Sequence, residues 1–169
     1  MTIYSNNSIV LASRPVGEPS AENFRLETVP VQPLEDAQVL IKVLYLSLDP
    51  YMRGRMSEAK SYAEPVAIGE VMAAETAGVI VESKSELYQV GDHVCCRSGW
   101  QEYFISADKD PMTYRVDPSR VPLSTYLGVC GMPGRTAYFG LQSEGKPVAG
   151  ETLVVSAASG AVGSVVGQI

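Results

Sequence analysis

The sequence predicts a mainly β domain, a barrel or sandwich of short strands, followed by helices and the opening of an α/β unit. Three observations predict it. Up to about residue 120 the chain reads as short apolar alternations separated by Gly and Pro turns. Near Val121 the spacing becomes helical, and further on a β-branched run from Thr152 to Ser156 leads into a turn of small residues and glycines.

Composition bounds what such a chain can do. At 169 residues and 46% hydrophobic, it has enough apolar surface for one complete small domain and part of a second. The balance is acidic, 19 Asp and Glu against 13 Lys and Arg, and no run of basic residues occurs, which argues against nucleic acid as a partner. No apolar stretch approaches the ~20 residues needed to span a bilayer, and Met1 to Pro15 lacks a basic leader, its Ile9–Ala12 run being closed by Arg14-Pro15. A soluble, cytoplasmic protein with no membrane partner is expected. Cys95, Cys96 and Cys130 are odd in number and show no metal-type spacing, which agrees with a reducing compartment.

The strands come in order. Phe24 to Val29 alternates; Gln38 to Ser47 carries Val39, Ile41, Val43 and Tyr45 on one face with only Lys42 clearly polar on the other, so burial on both sides is expected. Met56 to Pro65 is polar and aperiodic, a surface loop or short helix. Ala77 to Glu82 is next, then a turn at Val90–Asp92 into His93–Cys96, then Trp100 to Ile105. Neighbouring residues of a strand face opposite sides, so Cys95 and Cys96 read as small buried hydrophobes. Trp100 and Tyr103 read as core.

Beyond Val121, Pro122 stands where a helix starts, with Leu123, Leu127 and Cys130 at near-helical spacing. Gly131-Met-Pro-Gly134 interrupts, and Thr136 to Leu141 begins a second helical stretch. The run Thr152–Ser156 then reads as a strand entering Ala158-x-Gly160-x-x-Gly163, the strand, phosphate loop and helix start of a Rossmann unit, with Ala158 in place of the first glycine. In such a loop the backbone N–H groups of Gly160, Ala161, Val162 and Gly163 face a pyrophosphate, and the side chains matter by being small. The acidic residue expected ~20 positions on would fall beyond Ile169. The chain is therefore expected to be an N-terminal fragment whose cofactor domain is cut after its first strand and part of its first helix.

Four motifs in this order carry a resemblance. Leu46 to Met56 (LSLDPYMRGRM), Gly91–Val94 with Gly99–Tyr103, Leu127 to Tyr138 (LGVCGMPGRTAY) and Gly150 to Gly163 resemble the zinc-independent double-bond reductases of the medium-chain dehydrogenase/reductase superfamily, nearest to the NADPH-dependent curcumin reductases and prostaglandin reductases. The resemblance runs from about Ser13 to Ile169. It implies a GroES-like β-barrel over 1–126, with interdomain helices and the truncated opening of an NADP-binding Rossmann domain over 127–169. It also implies hydride transfer from NADPH to the carbon–carbon double bond of small α,β-unsaturated ketones or aldehydes, a homodimeric parent, and a fragment inactive by itself.

The same resemblance bears on metal. Zinc-dependent relatives place ligands where Asp49 and Ala73-Ala74-Glu75 stand here, so two are missing and no metal is expected. His93, the only histidine, reads as a polar turn residue. Without zinc, the carbonyl oxygen that gains charge needs hydrogen-bond donors, and a proton must reach the α-carbon or the enolate oxygen, for which a tyrosine or an ordered water is suitable. Tyr51 is the candidate, in a substrate cleft bordered by Asp49, Pro50, Met52 and Arg53; the plain alternative is a turn signal at Asp49-Pro50, with Arg53 and Arg55 as surface charges. Met132, Thr136 and Tyr138, with Pro133 among them, are implied at the carboxamide and ribose end of the cofactor; the alternative is a helix start with Tyr138 in the core. Two other functions stay open: a stand-alone GroES-like binding module, and a zinc-type alcohol dehydrogenase.

Overall fold

The computed structural model describes residues 4–169, and these divide into two compact units, one ending at Val116 and one running from Asp117 to Ile169. The boundary lies ahead of the 126/127 division expected from the sequence. The 3-10 turn Leu123–Leu127 is bonded to the residues C-terminal to it: the Cys130 amide donates to the Thr125 carbonyl at 3.1 Å and the Gly134 amide to the Gly128 carbonyl at 3.2 Å.

Among the described residues, the first unit holds seven antiparallel strands in two sheets: β1 (Ser5–Leu11), β2 (Phe24–Pro30), β3 (Gln38–Leu46), β4 (Thr76–Ser83), β5 (His93–Cys96), β6 (Tyr103–Ala107) and β7 (Tyr114–Arg115). β1 and β2 form a ribbon; the others are arranged in the order β6-β3-β4-β5-β7. Isolated bridges Ser8–Gln101 and Val10–Val71 tie the ribbon to the rest of the barrel domain, with the Ile9 amide donating to the Trp100 carbonyl at 2.8 Å. Five of the strands, β2 to β6, overlap stretches expected from the sequence. In β4, Ala77 and Ile80 are fully buried, and in β5 so is Val94, with Cys95 and Cys96 at 2% exposure. β1 and β7 lie outside the expected strands: β1 begins on four polar residues and β7 is two residues long, so neither carries a periodic signal.

β3 departs from its expected two-sided burial. Val39, Leu40 and Ile41 are buried on both faces, while Leu44 and Tyr45 are almost half exposed. The reason is pairing: β6 covers β3 only from Gln38 to Lys42, and register shifts between Leu40/Ile41 and Val43/Tyr45 break the match to β4. Two core clusters result. One gathers Leu11, Met52, Met56, Val66, Met72 and Ala74, with Trp100 and Tyr51 partly buried against it; the other gathers Val39, Ile41, Ile80, Val94 and Cys96.

The second unit contains the helix α2 (Met132–Phe139), a π-helical turn Gly140–Gly145, and the short helix α3 (Gly163–Val166) packed beside α2. Gly131-Met-Pro-Gly134 does not interrupt. Gly131 is the N-cap, and Pro133 sits in the first turn, where its missing N–H has no partner to lose. Thr152–Ser156 is not a strand either: Leu153 and Val154 are 52% and 87% exposed. A strand needs a neighbour, and the described residues of this unit contain none. Among the described residues, no helix is long and apolar enough to cross a membrane.

Candidate functional site

The candidate residues fall into one group in each unit. In the first, Asp49-Pro50 starts the one-and-a-half-turn helix α1 (Tyr51–Arg55): Pro50 already has helical angles, and the Asp49 and Pro50 carbonyls accept from the Met52 and Arg53 amides at 3.1 Å each. Positions four apart share a face. Met52 and Met56 are accordingly buried together, at 4% exposure each, while Tyr51 and Arg55 share another, half-buried face. Met52 is thus a core side chain, not the cleft residue the motif suggested, because it occupies the apolar stripe that docks α1.

Tyr51 lies with its ring against the first core cluster, and its hydroxyl has no hydrogen-bond partner among the described residues. Burial, and then the negative charges of Asp49 and Glu75, push the phenol above its ordinary value of 10, against the opposing pull of Arg97 and Arg55. The hydroxyl therefore holds its proton at neutral pH. The charges of Asp49 and Glu75 both act on this phenol. Glu75 is paired with Arg97 at 3.5 Å, a long contact to a mostly exposed guanidinium and so a weak one. Arg55 Nε and Trp100 Nε1 are both buried without a partner among the described residues. Arg53 does not stand free as a cleft charge: its guanidinium donates to the carbonyls of Gly17, at 2.9 and 3.2 Å, and Pro15, at 3.3 Å.

Among the described residues, no group of three or more His, Cys, Asp or Glu is placed to share a metal ion. His93 sits at the start of β5, pairing with Val79 and accepting from the Val116 amide at 2.9 Å through its backbone. Thr76, buried, donates to or accepts from Ser98 at 2.7 Å and Cys96 Sγ at 3.2 Å. Burial pushes the Cys96 thiol up, so it stays protonated and unreactive.

In the second unit, Met132, Thr136 and Tyr138 lie on α2, with Thr136 and Tyr138 exposed and the Thr136 hydroxyl against Met132 Sδ at 3.5 Å. Tyr138 is not core: it is 53% exposed and meets Phe139 edge to face. The glycine loop is a tight turn from 156 to 162 entering α3. Gly163 is required there, since a Cβ would lie 2.3 Å from the Ala157 carbonyl oxygen. The amides of Ala161, Val162 and Gly163 have no backbone acceptor among the described residues, so this turn presents small side chains and open N–H donors.

A family model described as the N-terminal domain of oxidoreductase matches residues 7–114. The NADPH-dependent curcumin reductase of Escherichia coli K12 is 54% identical over 164 residues, 97% of this chain and 47% of that protein. Prostaglandin reductase 1 of Bos taurus is 46% identical over 155 residues, covering 91% of this chain and 45% of the relative. The crystal structure of CurA from Vibrio vulnificus in complex with NADPH superposes with a TM-score of 0.89 at 52% identity, over 96% of this chain and 48% of that one. The chain spans about half the length of the curated relatives it matches.

Proposed function

From the premise that this chain belongs to the oxidoreductase family whose N-terminal domain spans residues 7–114, we propose that the whole protein reduces the carbon–carbon double bond of small α,β-unsaturated ketones or aldehydes with NADPH. The observation that carries the reading is the Tyr51 phenol: proton-holding, half-buried and unpartnered among the described residues. Relatives named for curcumin, prostaglandin and alkenal reduction support the substrate class.

NADPH, when bound, supplies the hydride. The chain's own residues do the rest. The Tyr51 hydroxyl donates a hydrogen bond to the substrate carbonyl, where negative charge develops as the double bond is reduced, and it is a proton source for the enolate. Burial beside Asp49 and Glu75 keeps that proton in place until substrate charge arrives. In the second unit, the open amides of Ala161, Val162 and Gly163 fit phosphate oxygens, and the exposed Thr136 and Tyr138 on α2 fit the nicotinamide and ribose end. Gly160 and Ala161 are exposed, Val162 is half-buried and Gly163 is buried, so the accessible part of the turn is its Gly160–Ala161 end. We propose the domain division 1–126 and 127–169 as the functional one, a dimeric whole protein, and no activity for the chain alone, since these residues hold only part of a dinucleotide.

The test is Tyr51→Phe in the whole protein, assayed with NADPH and a simple enone. Loss of one positioned proton donor should lower kcat about 10²-fold, with KM changed far less. Turnover equal to the parent would overturn the assignment.

A further inference from the structure

α1 has only five residues, no side-chain N-cap and one buried stripe, so it cannot hold its position by itself. Two arginines hold it from opposite directions. Arg53, on the helix, reaches out to the Pro15 and Gly17 carbonyls. Arg14, in the very segment Arg53 grips, reaches back: its Nη1 donates to the carbonyl of Met56, the C-cap of α1, at 3.0 Å and to that of Val66 at 3.2 Å. Its Nε meets Glu58 at 2.8 Å, an exposed carboxylate and the lesser contact. Between Met56 and Val66 runs a stretch without secondary structure whose stems are closed by the Val66 amide on the Arg55 carbonyl at 2.8 Å. Arg14 therefore stands where the end of α1, the departing stem and the returning stem meet. A planar fork suits that junction, and a cation suits the negative end of a helix.

We propose that Arg14 and Arg53 form a reciprocal clasp that fixes α1 against the Ser13–Gly17 segment, and that Arg14 is a positioning residue for Tyr51. The second half rests on the donor role proposed for Tyr51; the first does not. Each arginine supplies the anchor the other needs. Freeing either end releases the same helix, so the pair acts as one unit.

Hydrogen exchange on the whole protein decides the clasp. In Arg14→Ala, the amides of Met56, Ser57 and Val66 should exchange at least tenfold faster, while those of Ile41 and Ile80 keep parental rates. Arg53→Ala should speed the same set, and the double variant no more than either single one. Arg14→Lys keeps the charge and stem but not the fork. It should give the same pattern at smaller size, and it serves if Arg14→Ala fails to fold. Unchanged exchange in Arg14→Lys and Arg14→Ala, or effects that multiply in the double variant, would overturn the clasp. In the whole protein, Arg14→Ala should lower kcat several-fold with Tyr51 present and have no further effect in a Tyr51→Phe background. A full additional loss in that background would refute positioning through Tyr51. If Tyr51→Phe alone leaves turnover intact, the donor role and the positioning role fall together, and the exchange pattern still judges the clasp.

Discussion

Gly78→Ala in the middle of β4 sets a local preference against a packing contact. By strand propensity alone, alanine should stabilise by about 0.5–1 kcal/mol, because glycine loses more backbone freedom on folding. The structure reverses the sign. A Cβ at this position would lie 2.3 Å from the Lys42 carbonyl oxygen and 2.9 Å from Ile41 Cγ2, and the nearest obstacle is backbone of the neighbouring strand, which cannot rotate away. Gly78 also pairs with Val43 on one side and Val94 on the other, so neither flank is free to move. Overpacking of this kind costs about 1–3 kcal/mol, and a 2.3 Å approach to backbone places this site in the upper half of that range, which leaves a net loss of about 1–2.5 kcal/mol after the propensity gain. For a unit of 116 residues that is a drop in Tm of several degrees, up to roughly 10 °C. Thermal melts followed by Trp100, the single tryptophan, read it directly. Gly54→Ala is the control: at an exposed position of α1, with nothing within 4 Å of the added carbon, it should be neutral or slightly stabilising. A Gly78→Ala chain as stable as its parent, or a Gly54→Ala chain that falls as far, would refute the reasoning.

The raised Tyr51 phenol means that the folded state binds that proton more tightly than the unfolded one, so its contribution is fully present below pH 10 and is lost as pH rises through the folded value. Tyr51→Phe should therefore flatten the alkaline limb of stability; a limb of unchanged slope would show that Tyr51 does not titrate as placed. Thiol labelling of the native chain should modify exposed Cys130 quickly and leave buried Cys95 and Cys96 unreacted until denaturant is added; three fast thiols would contradict the burial of β5.

The strands legible in the sequence are short apolar runs bounded by turn residues and buried through most of their length. His93–Cys96 has the same bounds in sequence and structure, and β4 differs only at its ends, because the apolar runs there coincide with real pairing. β1 is illegible because Ser5 to Ser8 are polar, and what makes them a strand is their match to β2 and a single bridge to Gln101. Thr152–Ser156 fails in the opposite way: a run holding three β-branched residues, Thr152, Val154 and Val155, forms no strand without a neighbour. At the site, the DPYM motif points to Tyr51 but misplaces Met52, since nothing in a five-residue run shows which face will dock. The two-arginine clasp leaves no signal at all. Its acceptors are main-chain carbonyls 36–52 residues away, and a carbonyl has the same appearance in every sequence.

The bridges that tie β1 to the far end of its unit set an order of assembly. Asn6 and Asn7 bond the side chains of Gln101 and Glu102 across a separation of 95 residues, whereas Thr28 reaches Asn7 across 21. Closing the longer loop costs about 1.3 kcal/mol more in chain entropy, so the β1–β2 ribbon can form early and must wait for β6. During synthesis the ribbon leaves the ribosome long before Gln101 is made. Through that interval the buried side chains of Val10 and Leu11 lack part of their eventual cover, and the wait ends only when the segment from Trp100 onward arrives to close the unit over them.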